Sequence, residues 1–140
     1  IRNVTTDIRS WGEPEKDGNS IFVFEVANLC IAHVGHLHHV PTEQQFAALG
    51  RMDVLMLPVD GGFTMRVEEM IEVAKRLRSS LVLPMHYFGR STLERFLAGM
   101  ADEFEIEISG EDVLDVAYDT LPARPTVLVL PPSRFRGGLD

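Results

Sequence analysis

Three continuous apolar runs of strand length, each followed by a segment with helical patterning, constrain the fold of this 140-residue chain more than any other feature. The runs cover residues 29–34, 52–59 and 81–85. Helices are predicted after them, beginning at Thr42 and spanning about residues 65–78 and 92–100. Apolar strands that alternate with helices are typical of a sheet that helices cover on at least one face. We therefore predict an α/β layered fold.

Polar residues before each helix predict where that helix begins. Thr42 and Gln45 form a capping box, in which each side chain bonds to the backbone N–H of the other residue. Thr64 is predicted to cap the second helix, and Ser91 opens another capping box with Glu94. The helices are thus expected to start directly after these hydroxyl side chains.

The rest of the chain is predicted to contain shorter elements and two irregular ends. A hairpin is expected from residues 21–26 and 29–34, joined by a turn at Ala27–Asn28. Residues 1–20 and 131–140 are predicted to be irregular, because turn-forming residues interrupt the first segment and consecutive prolines open the last. Further strands are predicted at residues 104–108, 113–118 and 126–130.

The size and charge of the chain limit its class. Its 140 residues, 45% of them hydrophobic, suit a single domain that spans residues 1–140. The net charge of −8 repels phosphate backbones, so nucleic-acid binding is not expected. No apolar stretch approaches the roughly twenty residues of a transmembrane helix, so no membrane association is expected either. A single cysteine, Cys30, favours a cytoplasmic location.

Four of the five histidines lie in the segment 33–39, and the fifth, His86, follows the last of the three apolar runs. Imidazole is the commonest metal ligand among side chains, and histidines often hold zinc in catalytic sites. Ligand sites of α/β sheets gather outside the carboxyl ends of the strands. We therefore predict that His36 and His86 converge on a metal ion. Exposed loop histidines without a ligand are the alternative, because no ligand triplet is complete in the sequence.

Other side chains near this edge are further candidates for metal ligands. His38 projects with His36 if the strand continues, and His39 then points elsewhere. Asp60, at the end of the run 52–59, could bind a metal ion or a water, or could be a loop carboxylate only. The two glycines after it allow close backbone approach, but turn formation explains them better, and no phosphate-binding loop is present.

Three segments resemble a known family in their order and spacing. They read HVGHLHH at residues 33–39, DVLMLPVDGG at residues 53–62 and LPMHY at residues 83–87. Residues 31–87 thereby resemble the C-terminal half of the metallo-β-lactamase superfamily, in particular its small bacterial metal-dependent hydrolases. The resemblance implies a layered αββα fold of which this chain forms one half. The chain would then be a partial domain that pairs with an N-terminal half or with another chain.

The resemblance also implies a set of ligands. His86 corresponds to the last metal-ligand histidine of the family, and His36 falls where the family has an aspartate that bridges two metal ions. Asp60 replaces a usual glycine, and we hypothesise that its carboxylate compensates for the lost aspartate. The family's H-x-H-x-D-H signature has no counterpart before Ile21. The implied cofactor is zinc or another divalent metal, bound as one or two ions in the family and in an altered or mononuclear site here.

The function that the resemblance implies is metal-dependent hydrolysis, so the full-length protein is expected to be an enzyme. Metal-activated water would attack an ester, amide, thioester or phosphodiester of a small-molecule substrate. A second hypothesis is a non-catalytic binding or assembly module, which the loss of both the signature and the bridging aspartate favours. Its uncovered sheet face would form a homo-oligomer or bind a complementing N-terminal half. A third possibility is a metal-storing or metal-sensing module built from the clustered histidines.

Overall fold

A mixed seven-stranded sheet is the centre of the fold in the residues that this computed structural model describes, 1–9 and 13–132. The strands are β1 (Arg2–Ile8), β2 (Glu15–Val26), β3 (Leu29–His33), β4 (Val54–Pro58), β5 (Leu81–Met85), β6 (Glu105–Ile108) and β7 (Thr126–Val129). The helices are α1 (Glu43–Leu49), α2 (Val67–Leu77) and α3 (Arg90–Met100), with a 3₁₀ turn at Tyr118–Thr120. The strands lie in the order β1-β2-β3-β4-β5-β7-β6.

The sheet has an antiparallel part and a parallel part. Strands β1, β2 and β3 are antiparallel, whereas β3, β4, β5 and β7 run parallel, as does β6 beside β7. The predicted turn at Ala27–Asn28 joins β2 to β3, and its residues have the left-handed backbone that two-residue hairpins favour, with φ of 51° and 64°. Strands β3, β4 and β5 are each followed by a helix. Their carboxyl ends therefore open at one edge of the sheet.

The three helices pack on one face of the sheet, where the main core lies. Phe46, Met70 and Phe96 from the helices belong to the same buried cluster as Leu55 and Val82 from the strands. The predicted α/β layered fold is thus confirmed, and a sheet with helices on one face corresponds to one half of an αββα arrangement. The helices in the described part of the chain are not long and apolar enough to cross a bilayer.

The described residues cover the opposite face of the sheet only in part. It carries a smaller buried cluster of Val54, Leu81 and Leu128. Leu114 and Val116, from the irregular segment after β6, pack against this cluster. Phe22 points to the same side of the sheet as Ile31, and 46% of its surface is exposed. An apolar surface of the sheet therefore remains open to solvent.

Residues 2–8 and 15–20 form strands and are not irregular, contrary to the sequence prediction, whereas residues 10–12 lie outside the described residues. Strand β1 and the first half of β2 pair as an antiparallel ladder, in which Val4 lies opposite Ile21. Burial alternates along β1, with Thr6 fully buried and Asn3 and Thr5 exposed. An edge strand of this kind has polar residues on its outer side, so it lacks the continuous apolar run on which the prediction relied.

Only one of the three predicted helix caps is present. The capping box at Thr42 forms as predicted. Helix α2 has no side-chain cap, because it begins after Arg66 and Thr64 lies two residues too early. The hydroxyl of Thr64 donates to Asp60. Helix α3 also has none, and Ser91 lies within its first turn.

The predicted strands after α3 are confirmed in two cases out of three. Strands β6 and β7 match the predictions, whereas residues 113–118 form no strand. Leu114 and Val116 of that segment are partly buried by packing on the open face of the sheet, whereas Val113 and Tyr118 are exposed. Residues 131–132 are irregular as predicted, and residues 133–140 lie outside the described residues.

Candidate metal centre

His36 and His86 lie side by side at the carboxyl edge of the sheet. His36 is in the loop between β3 and α1, and His86 directly follows β5. The centroids of their rings are 4.8 Å apart, at an interplanar angle of 63°. Two imidazoles from separate loops therefore reach the same point, as the parallel order of the strands predicts.

Asn19, near the middle of β2, fixes the backbone that carries His36. Its amide nitrogen donates to the hydroxyl of Thr6 at 2.9 Å and to the carbonyl of Val34 at 3.0 Å. Its Oδ1 accepts the N–H of His36 at 3.0 Å. Gly35 lies against this amide with φ of +63°, and a Cβ there would be only 2.4 Å from Oδ1 of Asn19. The loop thus requires both a buried asparagine and a glycine.

Asp60 is a buried carboxylate that organises the loop after β4. Only 1% of its side chain is exposed. Its Oδ2 accepts the N–H groups of Gly62, Phe63 and Thr64 at 3.0, 2.6 and 3.1 Å. Its Oδ1 accepts the hydroxyl of Thr64 at 2.7 Å. Burial alone would raise the pKa of Asp60, but these hydrogen bonds outweigh burial and hold the pKa far below its ordinary value. Asp60 is therefore ionised.

The carboxylate of Asp60 orients the ring of His86. Nδ1 of His86 lies 3.2 Å from Oδ1 of Asp60, and because an ionised carboxylate can only accept a hydrogen bond, this nitrogen carries the proton and donates. The lone pair of the ring is then on Nε2, where it is free to bind an ion. His86 has φ of 52°, a left-handed backbone that few non-glycine residues adopt. Strained backbone of this kind is often found at functional sites.

His38 and His39 lie in the same loop, but their nitrogens bond to backbone groups. Nδ1 of His38 accepts the N–H of Arg9 at 2.8 Å, and burial, followed by the charge of Arg9, lowers the pKa of His38. Nε2 of His39 accepts the N–H of Asp7 at 3.0 Å, and its Nδ1 lies 2.9 Å from the carbonyl of Val40. These contacts favour a structural role for both residues, which attach the loop to β1.

An open pocket of about 530 Å³ lies over the histidine pair. It is lined by Ile8, Gly18, Asn19, His36, His38, Phe63, His86 and Phe88. Asp60 is not part of this surface, because it lies behind His86 rather than beside it. Among the described lining residues, His36, His38 and His86 have side chains that could bind a metal ion. Because His38 bonds to backbone groups, only His36 and His86 have a ring nitrogen available for the ion.

The donor set fits part of a metal site. Imidazole suits zinc and related divalent ions, and an outer carboxylate such as Asp60 commonly supports a ligating histidine. A catalytic zinc usually has three protein ligands. Residues 1–9 and 13–132 contain no group of three or more histidine, cysteine or acidic side chains placed to hold an ion. His36 and His86 can therefore supply two ligands, and a complete site needs further donors.

Sequence reasoning missed three contributors to this site. Asn19 was placed in a turn-rich segment, and its partners are up to 17 positions away in the chain. Phe63 and Phe88 gave no periodic signal, because each is a single aromatic residue in a loop. Contacts made across the sheet edge have no local signature, whereas the strands that lead to His36 and His86 do.

Comparison with known proteins agrees with this architecture. Residues 1–86 match a family model described as a β-lactamase superfamily domain, which extends the likeness beyond residues 31–87. A UPF0173 metal-dependent hydrolase from Methanoculleus marisnigri is 36% identical over 96 residues, which are 62% of this chain and 43% of the relative. One from Thermoplasma acidophilum is 32% identical over 82 residues, which are 54% of this chain and 37% of the relative.

A solved structure extends the likeness to most of the fold. The crystal structure of a candidate Zn-dependent hydrolase of the metallo-β-lactamase superfamily, from Thermotoga maritima, has a TM-score of 0.68 and 27% identity. The similarity covers 90% of this chain and 64% of that chain. The family match and these relatives show that the chain belongs to the metallo-β-lactamase superfamily. The chain spans less than half the length of the two relatives from Methanoculleus and Thermoplasma.

Proposed function

We propose that the protein is a metal-dependent hydrolase in which His36 and His86 bind the same divalent ion, with zinc as the expected metal. The observation that carries this proposal is the 4.8 Å separation of the two rings, which come from different loops. Relatives named metal-dependent hydrolases support the class of reaction. The remaining ligands and the catalytic base are expected from outside the described residues.

The residues of this chain prepare the two ligands for an ion. Asp60 keeps a proton on Nδ1 of His86, so that Nε2 is directed to the metal. Asn19 fixes the backbone of His36. A metal held there would lower the pKa of a bound water toward neutrality and polarise the bond to be cleaved. The proposed substrate is a small molecule with an ester, amide, thioester or phosphodiester bond.

A single ion is proposed, because His36 stands where the family resemblance places a bridging aspartate. A neutral imidazole has one free lone pair, so it cannot join two ions as a carboxylate can. Asp60 does not replace that carboxylate as a ligand in this proposal. Both of its oxygens already accept hydrogen bonds from its own loop, and one of them also contacts His86.

The partly covered face of the sheet supports a proposal about partners. Phe22 and the edges of the small cluster around Leu81 leave apolar surface in solvent, which usually marks a binding surface. We propose a complementing N-terminal half as the occupant, with a second copy of the chain as the alternative. Nucleic acid and membrane are not proposed as partners, in line with the net charge of −8, and the proposed location is the cytoplasm.

A non-catalytic binding module is the second candidate function. It is favoured by one observation, the absence of a three-ligand group among the described residues. A metal-storing or metal-sensing module would bind an ion without hydrolysing a substrate. Metal content and turnover measured on the same preparation separate these functions, since only the hydrolase requires both.

The metal proposal is tested by titrating the protein with Co²⁺ and Zn²⁺ and following the absorption of the cobalt complex. His36→Ala and His86→Ala should each weaken binding by more than the roughly 10–100-fold typical for loss of an outer carboxylate partner. His33→Gln is the matched control, because His33 does not line the pocket and the glutamine oxygen can accept the N–H of Gly35 that Nδ1 of His33 now accepts. Binding that survives both alanine variants, or that the control weakens equally, would contradict the proposal.

A further inference from the structure

Two exposed phenylalanines stand beside the histidine pair, and the proposed metal chemistry does not need them. Phe63 and Phe88 are 70% and 75% exposed. Their ring centroids are 6.1 Å apart at an interplanar angle of 84°. Phe88 also contacts the ring of His86 edge to face, with 4.9 Å between centroids. Exposed aromatic rings that adjoin a proposed reaction centre are candidates for substrate contacts.

The pocket beside these rings has the size and lining for an apolar group. Its volume of about 530 Å³ lies within the range of roughly 300–1,000 Å³ found for small-molecule sites. Ile8 adds a third apolar side chain, and among the described residues no acidic, lysine or arginine side chain lines the pocket. The amide of Asn19 is already bonded on both its nitrogen and its oxygen. The wall beside the histidines therefore offers mainly apolar surface to a ligand.

The position of Phe63 is fixed by the loop that carries it. Its backbone N–H donates to Oδ2 of Asp60 at 2.6 Å, and the N–H groups of Gly62 and Thr64 bond to the same oxygen. Phe88 follows His86 by two residues and touches both that ring and Phe63. The backbone of Phe63 is thus held in place, and the contact of Phe88 with His86 and Phe63 keeps the two rings next to each other beside the histidine pair.

We propose that Phe63 and Phe88 select substrates that carry an apolar acyl or aryl group. The group would lie against the two rings while the bond to be cleaved reaches His36 and His86. This inference rests on the proposed function and narrows it to esters, thioesters or amides of medium-chain or aromatic acids. Short acetyl groups would leave the two rings in water, and highly charged substrates would find no acidic, lysine or arginine side chain in the described pocket lining.

The inference is tested first by binding, without metal and without turnover. Hexanoate, phenylacetate and acetate serve as product analogues, and their binding is followed by the ring resonances of His36 and His86 in NMR titrations. Hexanoate and phenylacetate should bind at least about tenfold more tightly than acetate. Phe63→Ala and Phe88→Ala should each remove most of that preference, whereas Phe63→Leu and Phe88→Leu should retain it. Phe22→Ala is the control, because Phe22 is exposed on the open sheet face and does not line the pocket.

The outcomes separate this inference from the metal proposal. Equal binding of the three carboxylates, or a preference that survives the double variant Phe63→Ala/Phe88→Ala, would overturn it even if the protein binds zinc. A loss of preference in Phe22→Ala as large as in the pocket variants would also overturn it. Failure to bind metal, with the preference intact, would overturn the proposed hydrolase and leave the apolar pocket standing. In the metal-loaded protein, the ratio of kcat/KM for hexanoyl over acetyl esters should fall in the alanine variants, mainly through KM.

Discussion

Asp60 is the residue whose contacts hold most of the proposed metal site together. It accepts hydrogen bonds from three backbone N–H groups, from a hydroxyl and from His86. The local sequence does not reveal this role, because an aspartate followed by two glycines is equally typical of a simple turn. The structure distinguishes the two readings by burial, since only 1% of the side chain is exposed.

We expect Asp60→Asn to weaken metal binding by about 10–100-fold, the usual effect of losing an outer partner of a ligating histidine. An asparagine carries an amide nitrogen in place of one acceptor oxygen, so it cannot satisfy all of the donors that now meet the carboxylate. Calorimetric Zn²⁺ titration measures the effect. Asp53→Asn is the matched control, because Asp53 is also buried and accepts a backbone N–H, from Cys30, at the other end of β4. Equal losses in both variants would refute the specific role of Asp60.

Gly35 and Gly50 provide a second comparison at the scale of single residues. Both have positive φ, +63° and +67°, but a Cβ would clash with Asn19 only at Gly35. Gly50→Ala should cost about 1–3 kcal/mol in free energy of unfolding from backbone strain alone, because its φ of 67° and ψ of −149° lie in a region that is nearly confined to glycine. Gly35→Ala should cost at least about 1 kcal/mol more, because the neighbouring amide must also move. Urea unfolding curves give both values, and similar losses would show that the Asn19 contact is unimportant.

Helix α1 begins at a capping box that can be recognised in the sequence, whereas the other two helices do not have the caps that the sequence predicts. Thr42→Ala should therefore lower the free energy of unfolding by about 1 kcal/mol. Ser91→Ala should change it by less than about 0.5 kcal/mol, because Ser91 is exposed and caps nothing. Thermal unfolding of both variants checks the contrast, which would be lost if the serine also capped its helix.

The elements that could be predicted from the sequence are those whose own residues have a pattern typical of a buried strand or an amphipathic helix. Strands β4 and β5 are continuous apolar runs because the parallel part of the sheet buries much of both their faces. Strand β1 was missed because a polar edge strand is defined by its partner, here β2. The segment 113–118 misled the prediction for the converse reason. It has strand-like composition, but Leu114 and Val116 pack on a face of the sheet, so the segment does not pair along an edge.

The same distinction explains how much of the site could be predicted. His36 and His86 follow strands whose direction and order are encoded locally, so their approach was predictable. The clamp made by Asn19 links positions 6, 19 and 36, and such long-range contacts appear only in the folded chain. The role of Thr64 was misjudged because a hydroxyl before a helix has two possible partners, the helix and Asp60.

At the scale of the whole molecule, the open sheet face should control association. Phe22→Glu should reduce self-association, or binding to an added N-terminal half, because it places a charge on apolar surface. Its effect on the free energy of unfolding should be small, about 0.5 kcal/mol or less, since Phe22 is half exposed. Analytical ultracentrifugation measures the association. Ile108→Glu is the control, because Ile108 is exposed on the distant strand β6. If association is unchanged in Phe22→Glu, the open sheet face has no role in assembly.

The loop from Asp60 to Thr64 has a consequence for how such a protein can diversify. One carboxylate fixes the backbone of Phe63 and also the tautomer of His86. A substitution of Asp60 would disturb ligand preference and metal binding together, so selection would oppose it. Phe88 is under no such double constraint, because its backbone makes no bond to the carboxylate. New specificities should therefore evolve first through position 88.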